Sequence, residues 1–436
     1  MDYIKRILLN KELRNKIIYI LLILLVYRIF AHIPIPGPSP DAIKEFLSSV
    51  YSGNSVLNFM DVFSGGGISR FSIAMMGVGP YITASIMIQL LTTVIPKLES
   101  LSKEGEQGRH KLNQYSRMIS IPVSFIEGFA MIKFLQSSGS SSGSGLLSNL
   151  SIGQWFLMLL TISAGSVFLM WLGELITEKG IGNGVSMIIF AGIVSRGPQI
   201  VGQSFQNIFV GGFNSGEFFK FIGFLGLALI VVAIIVVITE AQRKIPISYA
   251  KKVRGSKLYG GIDTFLPMKL NMSGVIPIIF AGAFMNIPAM IGFLSSAETK
   301  WVANTASFIQ STFAQNTWPY VILLLLLVFA FTFFSTFLYF KPKDVSENIQ
   351  KQGGFIPGFR PGTQTEAYLR FLINRVTLWG AIFLSLIAAL PSMISIYSPG
   401  TQMAVGGTGL LIVVGVAIEI RNQIEAQMIV RSYEEF

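Results

Sequence analysis

The chain has 436 residues, of which 52% are hydrophobic and only 13% charged, and it contains no cysteine. Typical soluble domains carry roughly 25% charged residues, so ordinary soluble domains are excluded, as are disulfides, thiol catalysis and iron–sulfur chemistry. The formal net charge of +11 gathers on one side of a series of long apolar blocks, the pattern of a polytopic membrane protein.

Ten apolar segments are expected, at about 16–33, 72–95, 117–135, 153–176, 184–199, 218–239, 273–293, 317–340, 374–392 and 404–421. Many approach the roughly 20 residues a helix needs to cross a bilayer. The first has the length of a signal-peptide core, but His32-Ile33-Pro34-Ile35-Pro36 follows in place of a small-residue cleavage site, so it reads as a retained helix. The stretch Phe63 to Leu91 is the most unusual. It opens like a loop at Gly65, Gly66, Gly67 and Arg70, then turns apolar, with Gly77, Gly79 and Pro80 in its first turns. Freed backbone groups are tolerated at membrane depth only where they are buried in protein or line a cavity. This is therefore a moving or water-facing element of a helical bundle. The segment SSGSSSGSG, Ser137 to Gly145, reads as a flexible polar loop.

Lys and Arg set the orientation. With the N-terminus inside, the inner segments hold 26 of the 33 basic residues, which places both termini in the cytoplasm. Two inner loops, 240–272 and 341–375, are long for helix connections and are expected to form structures that project from the membrane. An even helix number allows two five-helix halves, 1–200 and 201–436. In that division the second helix of each half is interrupted, by Gly77, Gly79 and Pro80 in one and by Gly274, Pro277, Gly282 and Pro288 in the other. Such paired interruptions mark the functional path in repeat-built transport proteins, and they also fit the ordinary Gly and Pro enrichment of membrane helices.

Nine motifs then converge: YRIFAHIPIPG (Tyr27–Gly37), FSGGGISRFSI (Phe63–Ile73), GVGPYITASIMIQLL (Gly77–Leu91), EGEQGRHKLNQYSR (Glu104–Arg117), WLGELITEKGIGNGVSMIIFAGIV (Trp171–Val194), QRKIPISYAKK (Gln242–Lys252), NMSGVIPIIFA (Asn271–Ala281), KQGGFIPGFRPG (Lys351–Gly362) and VGGTGLLIVVGVAIE (Val405–Glu419). In this order, over essentially the whole length, the chain resembles the SecY family of protein-translocation channels. The resemblance implies an all-α fold of ten transmembrane helices, in two pseudo-symmetric, inverted five-helix halves around an hourglass pore. It implies a bacterial inner-membrane location, no cofactor and a protein-conducting channel for unfolded secretory chains, which also releases transmembrane segments sideways.

By resemblance, the pore ring maps to Ile82, Ile86, Val185, Ile189, Ile279 and Ile412. Ile82/Ile86 and Val185/Ile189 are i, i+4 pairs and so face one way on their helices; taken singly, these residues also suit helix–helix packing. Segment 57–70 is the expected plug, a short helix that includes Phe63, Ser64, Gly65, Gly66, Gly67, Ile68 and Arg70. Helices 72–95 and 273–293 are the expected sides of a lateral gate, with Gln89, Glu127, Asn271, Asn286 and Ile287. A carboxylate such as Glu127 at mid-membrane costs about 2.5–3.5 kcal/mol on insertion scales and must face the interior or water. Gln89 and Asn286 are its candidate partners, and neighbouring backbone donors serve equally. Arg28 is expected to snorkel to the interface.

Lys251, Lys252, Arg254, Lys257 and Arg360 are the expected docking residues for the SecA ATPase motor and the ribosome. Ser256-Lys257 stands where the family often has paired arginines. Further implied partners are small SecE- and SecG-type membrane subunits, signal sequences, nascent polypeptides and anionic lipids. His32 and His110 fall on opposite sides of the membrane, which leaves no two-histidine metal site. The chain has no GxSxG, HExxH or Walker pattern, so an enzyme is not expected. A secondary solute transporter is the alternative, discriminated by the interior: a solvated pocket argues for a transporter, an aliphatic ring under a plug for a polypeptide channel.

Overall fold

The computed structural model describes residues 10–36, 61, 64–141, 151–209, 213–249, 252–254, 257–259, 264–291, 300–314, 317–397 and 407–434. Most of them are helical. The chain runs through α1 (Lys11–Phe30), α2 (Gly79–Val94), α3 (Pro96–Lys103), α4 (Glu106–Ser141), α5 (Ile152–Lys179), α6 (Gly184–Val194), α7 (Gly197–Phe209) and α8 (Ser215–Glu240). The strands β1 (Gln242–Tyr249), β2 (Lys252–Arg254), β3 (Lys257–Tyr259) and β4 (Thr264–Lys269) follow. The remainder is α9 (Ile276–Ile291), α10 (Lys300–Thr312), α11 (Trp318–Tyr339), α12 (Pro342–Lys351), β5 (Gly354–Phe355), α13 (Thr363–Tyr397) and α14 (Gly407–Glu434).

Among the described residues, six helical stretches are long and apolar enough to cross a membrane: Glu106–Gln136, Ile152–Lys179, Gly184–Phe209, Ser215–Glu240, Trp318–Lys351 and Thr363–Ile394. A seventh is the α2–α3 pair if counted as one span, although it bends by 102° at its break. Every expected apolar segment contains a helix. Three of them, α1, α9 and α14, fall short of the same standard of length and apolarity; α1, for instance, starts with Lys11, Glu12, Arg14 and Lys16.

Several expectations need correction. The glycines and proline at 77–80 do not kink a helix. Ser72 bridges to Pro34, residues 73–78 are turns, Gly77 has a φ of 56°, and α2 begins at Gly79 with Pro80 in its first turn. Proline is well placed there, because the N–H it lacks would have no intrahelical partner anyway. Similarly, α9 starts just after Gly274, whose φ is 64°. The segment expected as the plug is helical only at Asp61 among its described residues, and residues 64–70 form turns; residues 57–60, 62 and 63 lie outside the described residues. The serine-rich stretch also begins as helix, since α4 continues to Ser141.

The two inner loops fold together. β1 pairs antiparallel with β4, from Gln242↔Lys269 to Ile247↔Thr264, and with β5 through Ser248↔Phe355 and Tyr249↔Gly354. The resulting β4-β1-β5 sheet buries Ile245, Ile247 and Met268 against Ile349 of α12 and Leu369, Leu372 and Ile373 of α13. This unit gives the mostly helical fold a small β component.

Two larger cores lie in the bundle. One draws on α1, α5 and α6, with Ile412 and Val416 of α14 added. The other draws on α8, α9, α11 and α13, with Leu411 of α14. A third, smaller core packs Ile68, Phe71 and Met75 against α4 and α5.

Candidate functional site

Five of the six expected ring residues meet in one apolar cluster. Ile189 and Ile412 are fully buried in it, and Ile82, Val185 and Ile279 pack against it partly buried. They come from α2, α6, α9 and α14. Ile86, one turn beyond Ile82, is buried as well. Backbone contacts bring these helices together. Gly184 packs on the Gly173 carbonyl so closely that an added Cβ would collide with it. That contact fixes the α5–α6 turn and with it Val185. Asn183 caps α6 by accepting from the Ser186 N–H at 3.2 Å. Gly415 leaves room for the Val275 side chain ahead of α9, which brings α9 and α14 together.

The turn at the expected plug, residues 64–70, sits against the same cluster. Tyr27 belongs to the cluster and its hydroxyl donates to the Ser64 carbonyl at 3.3 Å. Gly65 has a φ of +67°, and an added Cβ would strike Tyr27 and approach the Gly192 Cα to 2.9 Å. Only glycine suits both the backbone conformation and the space. Ser64 is the hub of the turn: its Oγ accepts from the N–H groups of Gly67 (3.1 Å) and Ile68 (3.3 Å) and donates to the Asp61 carbonyl (3.1 Å). Phe63 lies outside the described residues. Gly66 also has positive φ, 84°, and Ile68 is 1% exposed.

Arg28 does not snorkel outward as expected; its Nη1 donates to the Gly65 carbonyl at 2.9 Å. Arg70 is partly buried, and its Nη1 has no hydrogen-bond partner among the described residues. Beyond it the chain is pinned. Phe71 is buried with a φ of 48°, and the pairs Ile35 N–H to Phe71 O (2.9 Å) and Ile73 N–H to Ile33 O (3.0 Å) tie this junction to the end of α1.

At the expected gate, α9 packs against α2 and α4. Half-buried Glu127 of α4 faces α2, with its carboxylate beside Gly79. Gln89, an expected partner, donates instead to Ser85 Oγ at 3.5 Å. The Oε1 of Gln89 and the Oδ1 of Asn271 are buried with no hydrogen-bond partner among the described residues, while Asn271 Nδ2 donates to the Gly274 carbonyl at 3.0 Å. Asn286 and Ile287 lie on α9, with their side chains outside the described residues. The structure therefore brings Glu127 to the start of α2 at Gly79.

On the basic face, Arg360 is exposed in a turn shaped by Gly358 (φ 90°) and Gly362 (φ 104°). Its N–H donates to Gln364 Oε1 at 3.3 Å, and its carbonyl accepts from Thr365 Oγ1 at 2.9 Å. A Phe359–Tyr368 stack with ring centroids 4.0 Å apart braces the same turn. Lys252 and Arg254 fall on β2 and Lys257 on β3, with their side chains outside the described residues; Lys251 and Ser256 lie outside them entirely.

Sequence reasoning missed Asp61 and Arg196, which form an ion pair at 2.6 Å. The available signal was that each is a lone charge at the end of an apolar stretch. It gave no indication that the two meet.

Comparisons with known proteins agree with one another. The SecY family model matches residues 72–421. The chain is 42% identical to the protein translocase subunit SecY of Thermotoga maritima over 431 residues, covering 98% of this chain and 95% of that protein. It is 43% identical to the Thermus thermophilus subunit of the same name over 433 residues, with the same coverage. Among solved structures, a protein-conducting channel superposes with a TM-score of 0.58 at 19% identity, over 94% of this chain and 91% of that one. Sec61 from a canine ribosome–channel complex gives 0.53 at 19%, with the same coverage. At such identities the structural likeness carries the fold alone.

Proposed function

The chain belongs to the SecY family, and we infer that it is a protein-conducting channel, a multi-pass membrane protein that passes unfolded secretory polypeptides across the bilayer. In our reading it also releases transmembrane segments sideways into lipid. The observation that carries the reading is the meeting of Ile82, Val185, Ile189, Ile279 and Ile412 in one aliphatic cluster, with the plug turn bonded to its rim through Tyr27. A channel for ions lines its filter with carbonyls or charged rings, whereas an apolar constriction gates by dewetting. Flexible aliphatic side chains also deform around any passing residue, which suits a substrate of arbitrary sequence.

The finer arrangement follows from the same reading. The two cores support two five-helix halves, divided near residue 200 and together holding ten membrane helices, with α2 and α9 as the sides of a lateral gate. Glu127, beside Gly79 at the start of α2, places a carboxylate on the α2 side of that gate, and replacing it with leucine should bias the gate toward closure. The concentration of Lys and Arg supports cytoplasmic termini in a bacterial inner membrane. The sheet that unites the two inner loops and the braced Arg360 turn provide one basic platform. An exposed guanidinium of fixed position suits bidentate contact with carboxylate or phosphate. That platform fits a SecA-type motor and the ribosome; relatives in this fold were solved on ribosomes. SecE- and SecG-type subunits fit the exposed apolar faces of the bundle. Energy for transport comes from such partners, since the chain itself carries no nucleotide-binding motif.

The test is cysteine crosslinking. With single cysteines at Ile82, Ile279 or Ile412 in this cysteine-free chain, a stalled secretory polypeptide should crosslink at each position. Failure at all three removes the ring assignment.

A further inference from the structure

The plug turn is gripped from two sides, and both grips come from the N-terminal part of the chain. From α1, the Tyr27 hydroxyl and the Arg28 guanidinium hold the carbonyls of Ser64 and Gly65. From the outer end of α6, Gly192 packs on Gly65 and Arg196, just past the helix, reaches Asp61. Asp61 is fully buried and the Arg196 side chain is 20% exposed. The Asp61 Oδ1 accepts from the Ser69 N–H at 2.8 Å and from Ser64 Oγ at 3.4 Å. Its Oδ2 accepts no hydrogen bond; the Arg196 guanidinium 2.6 Å away pairs with it by charge, and Arg70 is a second, more distant positive charge that acts on Asp61. The opposite end of the turn is fixed at Phe71 by the pairing with residues 33–35. The turn therefore has an anchored hinge at one end and a buried ion pair at the other. The gate helix α9 supplies none of these contacts.

We propose that the Asp61–Arg196 ion pair is a latch that sets how readily the plug leaves its seat, separately from whether the lateral gate is open. The inference rests on the plug reading above. Because the grips lie on α1 and α6, moving α9 away from α2 and α4 does not break them. Release requires the buried carboxylate to exchange Arg196 for water, and swinging the turn outward about Phe71 achieves that.

The physics gives the pair an asymmetry. Removing Arg196 takes the close partner from a buried charge and leaves it only the more distant Arg70, which costs more than removing both charges. Removing the charge of Asp61 leaves an asparagine carbonyl able to keep the Ser69 N–H, and a partly exposed arginine able to turn to solvent.

The test uses the full chain with its partners in native membranes, with Ile68→Cys as the sole cysteine. Ile68 is 1% exposed, so a membrane-impermeant maleimide added from the side opposite the basic loops reads plug departure. Arg196→Gln should raise the labelling rate by roughly tenfold or more, the scale of stranding one partner of a buried pair. Asp61→Asn, which loses the pair without stranding a buried carboxylate, should raise it by about threefold, and adding Asp61→Asn to Arg196→Gln should bring the rate back to that level. Leu384→Cys, 1% exposed in the core of the C-terminal part, should stay protected in every variant.

The latch is overturned if Arg196→Gln or Asp61→Asn leaves Ile68→Cys at the parent labelling rate, if Leu384→Cys becomes labelled with it, or if the double variant is as open as Arg196→Gln alone. Substrate-free ion conductance separates this from failure of the plug reading. Faster labelling with unchanged conductance keeps the latch and removes the plug, whereas unchanged labelling, with conductance raised by deleting residues 64–70, does the reverse.

Discussion

The aliphatic cluster around Ile189 and the plug turn beside it are sealed by opposite physics. The cluster holds by burial and dispersion, which have no direction and survive rearrangement of its side chains. The turn holds by directed bonds: Ser64 serves two N–H groups, Arg28 and Tyr27 serve two carbonyls, and Asp61 meets Arg196. In the proposed channel, the first kind of seal would yield gradually to a passing chain. The second stays shut until particular bonds break, and then lets go as a unit. A closed state that is tight yet quick to open needs both.

The strongest way to break this contrast is to place a directional demand inside the non-directional seal. Ile412→Lys puts an unpaired charge at a fully buried position and should cost on the order of 3 kcal/mol or more in thermal unfolding, with a rise in substrate-free conductance. Ile412→Leu should cost less than about 1.5 kcal/mol and leave conductance unchanged. Equal effects of the two would deny that this seal tolerates shape change.

A smaller effect sharpens the other side. Ser64→Ala removes the acceptor for two buried N–H groups and should destabilise the plug seat by about 1–3 kcal/mol. Faster Ile68→Cys labelling at unchanged global melting is the expected readout. Unchanged labelling would mean that the turn is held by packing, as the cluster is.

The smallest effect calibrates the latch against an exposed pair. Glu99 and Lys103 of α3 lie 2.7 Å apart with both side chains largely in solvent. The hydrogen bond and charge of Lys103 hold the Glu99 carboxyl below its usual range, and Glu99 likewise raises Lys103. A lowered carboxyl stabilises above its ordinary pKa and loses that as pH falls through the folded value; a raised lysine stabilises below its ordinary pKa and loses that as pH rises. Between about pH 5 and about pH 9 the pair is therefore constant, and Glu99→Gln should leave unfolding and conductance unmoved there. A visible change would undercut the distinction between exposed and buried pairs.

How much was legible follows from the range of each interaction. The apolar blocks announced α4, α5, α8, α11 and α13, because helix formation and apolar length are local properties. The i, i+4 spacing of Ile82 and Ile86 was equally plain. The start of α2 was misread as a kink because Gly77, Gly79 and Pro80 suit a break and a helix beginning alike; only the turns at 73–78 separate the two. Arg28 was sent to the interface because its partner is a backbone carbonyl 37 residues away, invisible to any residue pattern.

The sequence by itself determined that the chain lives in a membrane, which face is basic and which family its motifs belong to, since composition, run length and short motifs are written along the chain. The tertiary structure alone decided that residues from α2, α6, α9 and α14 close into one cluster, that β5 joins the two inner loops, and that Asp61 meets Arg196. Each of those depends on how helices approach one another. That approach is set by glycine contacts such as Gly184 on Gly173 and Gly65 on Gly192, where the absence of a side chain, not its chemistry, carries the information.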